Sequence, residues 1–235
     1  MTITWSIASN PGRVRNRNED SAFPVADGSA QEVVIAVADG MGGHIGGEVA
    51  SQLAVRAAIA AADRDAADRV RVANEAIMSE ALRKRHLSGM GTTLTLALFA
   101  GDTVSIGHVG DSRAYRWRDG ELVQLTRDHS LVMEYLAAGR ITEEEALDHP
   151  QRNILTRALG LEWRMPVDEL VEHLRAGDRY LLCTDGLTTM VTDEGIADLL
   201  DENRLPQEAA WALIEAANLA GGDDNVTVAV IDISA

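Results

Sequence analysis

The stretch VVIAVADGMGGHIGG, residues 33–47, decides the reading of the fold. Val33 to Ala38 is a short apolar run that predicts a strand buried on both faces. It stops at Asp39, a charge where a buried strand would ordinarily pass into a neutral turn. Gly40, Gly42, Gly43, Gly46 and Gly47 follow, and glycine lets a backbone turn sharply and come close to a ligand. A carboxylate at a strand end, beside bare carbonyls, suits a hard divalent cation. Taken alone, the stretch also fits a tight turn with a solvated aspartate. The run RYLLCT, residues 179–184, repeats the device and ends in Asp185-Gly186.

Upstream, residues 1–9 alternate weakly as a strand. NPGRVRNRNED, residues 10–20, begins with a turn signal and carries Arg15, Glu19 and Asp20, for which a solvated, ion-paired loop is the plain reading. Residues 21–32 read as loop. Downstream, a helix is expected from Glu48 to about Ala62, with Val49, Leu53, Ala57 and Ala60 at helical spacing and its free N–H groups facing Asp39. A second helix covers roughly 66–86, with a stripe of Val70, Ala73, Ile77 and Ala81. From Gly91 the period becomes two. Leu94, Leu96 and Leu98 alternate with smaller residues, a partner strand runs 103–109, and Asp119-Gly120 marks a hairpin between 114–117 and 122–125. Strands joined by turns this short pair antiparallel.

Residues 130–160 differ. LVMEYLAAG is a helical patch closed by Gly139, Thr142 and Glu145 form a capping box, and HPQRNILTRALG suggests another helix. This insertion between strands is placed to cover a site as a flap. Strands at 167–174 and 179–184, a helix capped by Thr192, a helix opened by Pro206 and a final strand VTVAVIDI complete the chain. With no linker or internal repeat, residues 1–235 read as a single domain.

The formal net charge of -16 over 235 residues argues against nucleic acid and anionic membranes as partners. It leaves phosphate substrates open if bound cations reverse the local field. The one cysteine, Cys183, excludes an internal disulfide and reads as a small core residue. A cysteine phosphatase would want an arginine six positions on, where Thr189 stands. With neither a leader pattern nor a long apolar stretch, the chain reads as cytoplasmic.

Asp39, Asp111, Asp185 and Asp224 all lie at strand ends beside glycine or in tight turns. If those ends converge, the carboxylates repel one another and call for cations. All-oxygen ligation suits magnesium or manganese rather than zinc. Two such ions sharing a carboxylate favour in-line displacement at phosphorus, and an arginine suits the remaining phosphate oxygens.

In these residues the chain resembles the bacterial branch of the type-2C metal-dependent serine/threonine protein phosphatases. The resemblance rests on RNRNED at 15–20, VADGMGGH at 37–44, GMGTT at 89–93, VGDSRAY at 109–115 and LTRDHS at 125–130. It continues through HPQRNILTRALG at 149–160, LLCTDGL at 181–187 and GGDDNVTV at 221–228. It implies an α+β fold: a four-layer αββα sandwich, two antiparallel sheets flanked by helices, with a flap at about 130–157. By the same resemblance Asp39 would bridge two Mn2+ or Mg2+ ions and the Gly40 carbonyl would bind the second. Asp185 and Asp224 would complete the first ion's shell. Glu19 would act on the second through water, supported by Asp20. Arg15 would grip the substrate phosphate, and Asp111 would help hold a weak third ion. The implied reaction is direct attack on phosphoserine or phosphothreonine of proteins by a hydroxide bridging the two ions. The implied partners are phosphorylated proteins and an opposing serine/threonine protein kinase, with the chain acting as a monomer.

The sequence departs from the family pattern in two places. Met41 stands where animal and plant members carry a histidine taken as general acid, so His44 and a metal-bound water are the alternative proton donors. Thr189 stands where many members carry a further aspartate ligand of the third ion. The competing readings are a phosphoprotein-binding regulatory module that has lost catalysis, and a phosphatase of small metabolites.

Overall fold

The protein is seen in a computed structural model that describes residues 1–41, 46–147 and 149–235. The chain opens with β1 (Thr2–Asn10), β2 (Ser21–Phe23), β3 (Gly28–Ala30), β4 (Val33–Ala38) and the two-residue β5 (Gly40–Met41). Helices α1 (Gly46–Ala60) and α2 (Ala66–Arg83) follow, then the two-residue β6 (Gly91–Thr92). Next come β7 (Leu94–Ala100), β8 (Thr103–Val109), β9 (Arg113–Arg118) and β10 (Glu121–Gln124). Helices α3 (Leu131–Ala137) and α4 (Glu143–Leu147) occupy the insertion, and β11 (Asp168–His173) and β12 (Arg179–Cys183) return to the body. Helices α5 (Asp185–Thr188), α6 (Asp193–Glu202) and α7 (Pro206–Leu219) precede the last strand, β13 (Val226–Ser234).

Two large antiparallel sheets form, in the orders β10-β9-β12-β13-β1-β3 and β11-β8-β7-β4-β2, and β5 pairs with β6 in a small third one. Strand alternation explains why they stack. In β13, Val226, Val228 and Val230 face α7, while Ala229, Ile231 and Ile233 face the other sheet. In β4, Ala36 and Ala38 lie under α1 and α2, while Ile35 and Val37 face inward between the sheets. Each of these two central strands thus has two apolar faces, one for a helix layer and one for the opposite sheet. Between the sheets the Phe99 and Tyr180 rings meet edge to face at 5.4 Å. The result is the four-layer αββα sandwich that the family resemblance implies.

Several local expectations meet corrections. The alternation of β7 separates two buried faces: Leu94 and Leu96 pack under helices, and Ala97 and Phe99 pack between sheets. Helix α1 begins two residues earlier than expected, and its most buried stripe is Gly47, Ala50, Ala54 and Ala58. Small residues let that helix lie close on the sheet. The segment 21–32, read as loop, contributes β2 and β3, too short to show a period. HPQRNILTRALG is not helical; it forms turns and single bridges, Ser130 to Leu155 and Thr92 to Leu159. Its backbone groups are taken by neighbours, which override the local helical pattern. The capping box forms as read, with Thr142 N–H donating to Glu145 Oε2 at 2.8 Å and Glu145 N–H to Thr142 Oγ1 at 3.2 Å.

Candidate metal centre

The inter-sheet face supplies the site where its apolar residues run out. Continuing the face of Ile35 and Val37 by two residues gives Asp39, and continuing that of Leu182 and Ala229 gives Thr184 and Thr227. Around this end of the sandwich lies a cavity of about 760 Å³. Glu19, Asp39, Gly40, Asp111, Asp185 and Asp224 line it together with Arg15. The structure therefore gathers these sequence-predicted site residues, drawn from five separate stretches of chain, at one place. Asp20 stands just behind the cavity wall. His44 lies outside the described residues.

Asp39 is braced through its backbone. Its N–H donates to Thr93 Oγ1 at 2.9 Å, and its carbonyl accepts from Thr93 N–H at 2.9 Å and Thr92 Oγ1 at 2.7 Å. Gly40 packs so tightly on the backbone of Gly47 and Glu19 that a Cβ there would overlap both. The first turn of α1 packs against Glu19 and against Gly40, the residue next to Asp39.

Most of the 10–20 segment is exposed and Arg15 is ion-paired, as read, but the loop is pinned and its end, residues 18–20, is drawn into the site. Ser51 Oγ of α1 donates to the Glu19 carbonyl at 2.6 Å, and Glu19 N–H donates to Asn225 Oδ1 at 2.8 Å. The Asn225 amide in turn donates to the carbonyls of Pro11 at 3.0 Å and Arg17 at 2.8 Å. Asp20 Oδ2 accepts from Thr184 Oγ1 at 2.9 Å and from Thr227 Oγ1 at 2.7 Å. Arg15 Nη2 donates to Asp224 Oδ2 at 2.7 Å. The sequence alone does not assign Asn225, Thr184 and Thr227 to the site. The signal for Thr184 and Thr227 is a polar residue continuing the inner face of an otherwise apolar strand; Asn225, in the turn before β13, has none.

The electrostatics follow from this crowding. The Asp39 carboxyl is held well above its usual range by burial and by the charges of Asp185, Asp20, Asp111 and Asp224. Asp111 is raised by burial, then by Asp185 and Asp128. Asp185 is raised by burial and by Asp224, against the lowering effects of a hydrogen bond with Asp39 and the charge of Arg15. Burial, partly offset by the two threonine hydroxyls, pushes Asp20 up to about 7.

These residues fit divalent cations. Asp20 Oδ1 and Asp185 Oδ1 are buried and lack a hydrogen-bond partner, a costly state unless something positive or hydrogen-bonding meets them. The donors are carboxylates and a main-chain carbonyl, the oxygen set that hard cations take. Among the described residues no three acidic, histidine or cysteine side chains already converge on one point. The carboxylates surround a space instead, as mutually repelling groups do.

Comparison with known proteins agrees with this architecture. The family model for protein phosphatase 2C matches residues 13–211. The chain is 45% identical to the serine/threonine protein phosphatase PstP of Mycobacterium tuberculosis over 99% of its length, and spans 45% of that relative. It is 42% identical to the serine/threonine phosphatase stp of Listeria welshimeri, covering 94% of this chain and 92% of that one. A crystal structure of the PstP catalytic domain in complex with two manganese ions superimposes with a TM-score of 0.89 at 41% identity, covering 100% of both chains. The chain belongs to the protein phosphatase 2C family.

Among the described residues, no helix is long and apolar enough to cross a membrane. Cys183 is fully buried, and its thiol is pushed up to about 12 by burial, which fits a packing role and not a nucleophile.

Proposed function

We propose that residues 1–235 are one catalytic domain that removes phosphate from phosphoserine and phosphothreonine on proteins, using Mn2+ or Mg2+. The observation that carries this reading is the ring of acidic side chains about Asp39, faced by the guanidinium of Arg15. The names of the relatives, all phosphatases, support the same reaction class.

Asp39 is the proposed bridging ligand of two ions, with Asp185 and Asp224 completing one shell. The Gly40 carbonyl and Glu19 serve the other, and Asp111 serves a weaker third. Asp20 acts by holding the Thr184 and Thr227 hydroxyls beside Asp185, not by lining the cavity. Divalent ions in such a site lower the pKa of water to supply a nucleophile at neutral pH and neutralise charge on the phosphoryl group. Arg15 exchanges its bond to Asp224 for the oxygens of the incoming phosphate. Met41 has no proton to give a leaving alkoxide, so His44 is this chain's own candidate donor. Asn153 and Leu155 of the flap segment 130–157 form part of the cavity wall, and we assign them contact with the substrate peptide.

The chain is proposed to act as a monomer. A serine/threonine protein kinase is the inferred opposing enzyme, and a cytoplasmic setting, where such kinases draw on ATP, is the inferred location. The test is phosphate release from phosphoserine and phosphothreonine peptides, with Mn2+ and after chelation, set against small phosphate esters. Metal-dependent hydrolysis that favours peptides is expected. Turnover of small esters alone would favour a metabolite phosphatase, and binding without turnover would favour a regulatory module.

A further inference from the structure

The flap leaves the body of the protein after His129 and returns through Leu155 to Leu159. Main-chain bonds close its neck: Leu131 N–H donates to the Ile154 carbonyl at 2.8 Å, and Thr156 N–H to the His129 carbonyl at 2.8 Å. One side chain spans both strands of that neck. Asp168, at the start of β11, accepts from Arg157 Nη1 at 2.8 Å through Oδ1. Its Oδ2 lies 3.1 Å from His129 Nε2.

His129 carries the connection inward. Its Nδ1 accepts from Gly110 N–H at 3.1 Å, and its own N–H donates to the Gly110 carbonyl at 2.8 Å. Because Nδ1 accepts, the proton of the neutral ring is on Nε2, which is buried and has no aligned hydrogen-bond acceptor, with Asp168 Oδ2 its close polar neighbour. Gly110 has φ of +115° with Thr93 packed where a Cβ would be, so its conformation leaves little room for adjustment. The next residue is Asp111. The His108 ring packs on His129 at 4.9 Å and is held by Thr95 Oγ1 at 2.9 Å and the Arg127 carbonyl at 3.1 Å.

We propose that Asp168 is a positioning residue that couples the flap to the candidate metal centre. Through His129 it fixes Gly110 and hence the Asp111 carboxylate, and through Arg157 it ties the same point to the returning strand of the flap. The proposal rests on the reading of Asp111 as a metal ligand. An ordinary surface ion pair would contribute little, and the Asp168 and Arg157 side chains are 46% and 36% exposed. The His129 side chain is only 3% exposed, so the inner half of this network is shielded from water.

Hydrogen–deuterium exchange on the metal-free chain, with calorimetric Mn2+ titration beside it, tests the coupling. In Asp168→Ala the amides of Gly110, Leu131 and Thr156 should exchange roughly 10-fold faster or more, while those of β1 and β13 keep their rates, as expected for local opening. The weakest Mn2+ step should weaken further with the tighter ones unchanged. Arg157→Ala should speed Leu131 and Thr156 but spare Gly110, since the contact between His129 and Asp168 remains. An unchanged Gly110 amide in Asp168→Ala overturns the proposal, as does a uniform acceleration that includes β1 and β13. Should Asp168→Ala fail to fold, Asp168→Asn gives the same test, with a smaller expected effect at the same amides. Loss of phosphatase activity in the unaltered chain would overturn the functional reading and leave the exchange pattern standing.

Discussion

Arg15 Nη2 donates to Asp224 Oδ2 at 2.7 Å, so the group proposed to grip phosphate is paired, before substrate arrives, with a proposed metal ligand. Both side chains are partly open to solvent, at 57% and 37% exposure. The pair is therefore weak enough to exchange for a phosphate.

Arg15→Ala should raise KM for a phosphopeptide by about 10-fold or more, the scale of a charged hydrogen bond, and lower kcat less. Calorimetric Mn2+ affinity should hold or rise slightly, because Asp224 is freed. A collapse of metal binding would show Arg15 to be structural instead.

Asp39→Asn removes the carboxylate that four others surround. In metal-free protein the melting temperature should rise, since repulsion is relieved. With Mn2+ the activity should fall by more than the ~10–100-fold typical of losing a group outside the ligand shell. Asp111→Asn should cost less. Equal losses in the two variants would contradict the assigned order of ligands.

The raised carboxyls also fix a pH dependence. Asp20 moves from its usual 3.8 to about 7. Between those values the folded state binds more protons than the unfolded state, so metal-free stability should fall as pH rises from about 4 to about 7. Saturating Mn2+ needs ionised ligands, so it should flatten or reverse that slope. Melting curves across this window, with and without Mn2+, check the sign. A metal-free stability that rises with pH would contradict it.

Much of this site is legible in residue order because it is built at strand ends. Asp39 and Asp185 stand out as charges that terminate apolar runs, and Asp119-Gly120 gives the β9–β10 hairpin through two successive positive φ angles, 53° and 84°. Other parts were hidden for physical reasons. Asp20 and Arg15 sit in a charged stretch that looks like solvated loop until Asn225, some 200 positions away, pins it with three hydrogen bonds. The stretch 149–160 has helical periodicity, but its backbone pairs with Thr92 and His129. Whether Leu96 faces a helix or a second sheet cannot be read from alternation alone, since both sides of β7 are buried.

Thr189 bears on the third ion. Its hydroxyl donates to the Asp185 carbonyl at 2.8 Å, within its own helical turn, so it is already committed. Activity should keep rising with Mn2+ after the two core sites fill. Thr189→Asp should move that second rise to lower concentration. An unchanged titration would mean that no third site is built here.

The central claim is that Asp39 organises a two-cation centre for phosphate hydrolysis. The most direct measurement is calorimetric titration of metal-free chain with Mn2+, with phosphopeptide hydrolysis followed at each step. Two ions should bind tightly, activity should appear only as the second binds, and Asp39→Asn should abolish both. Hydrolysis at full rate by metal-free chain, or undiminished binding of two ions by Asp39→Asn, would contradict the account.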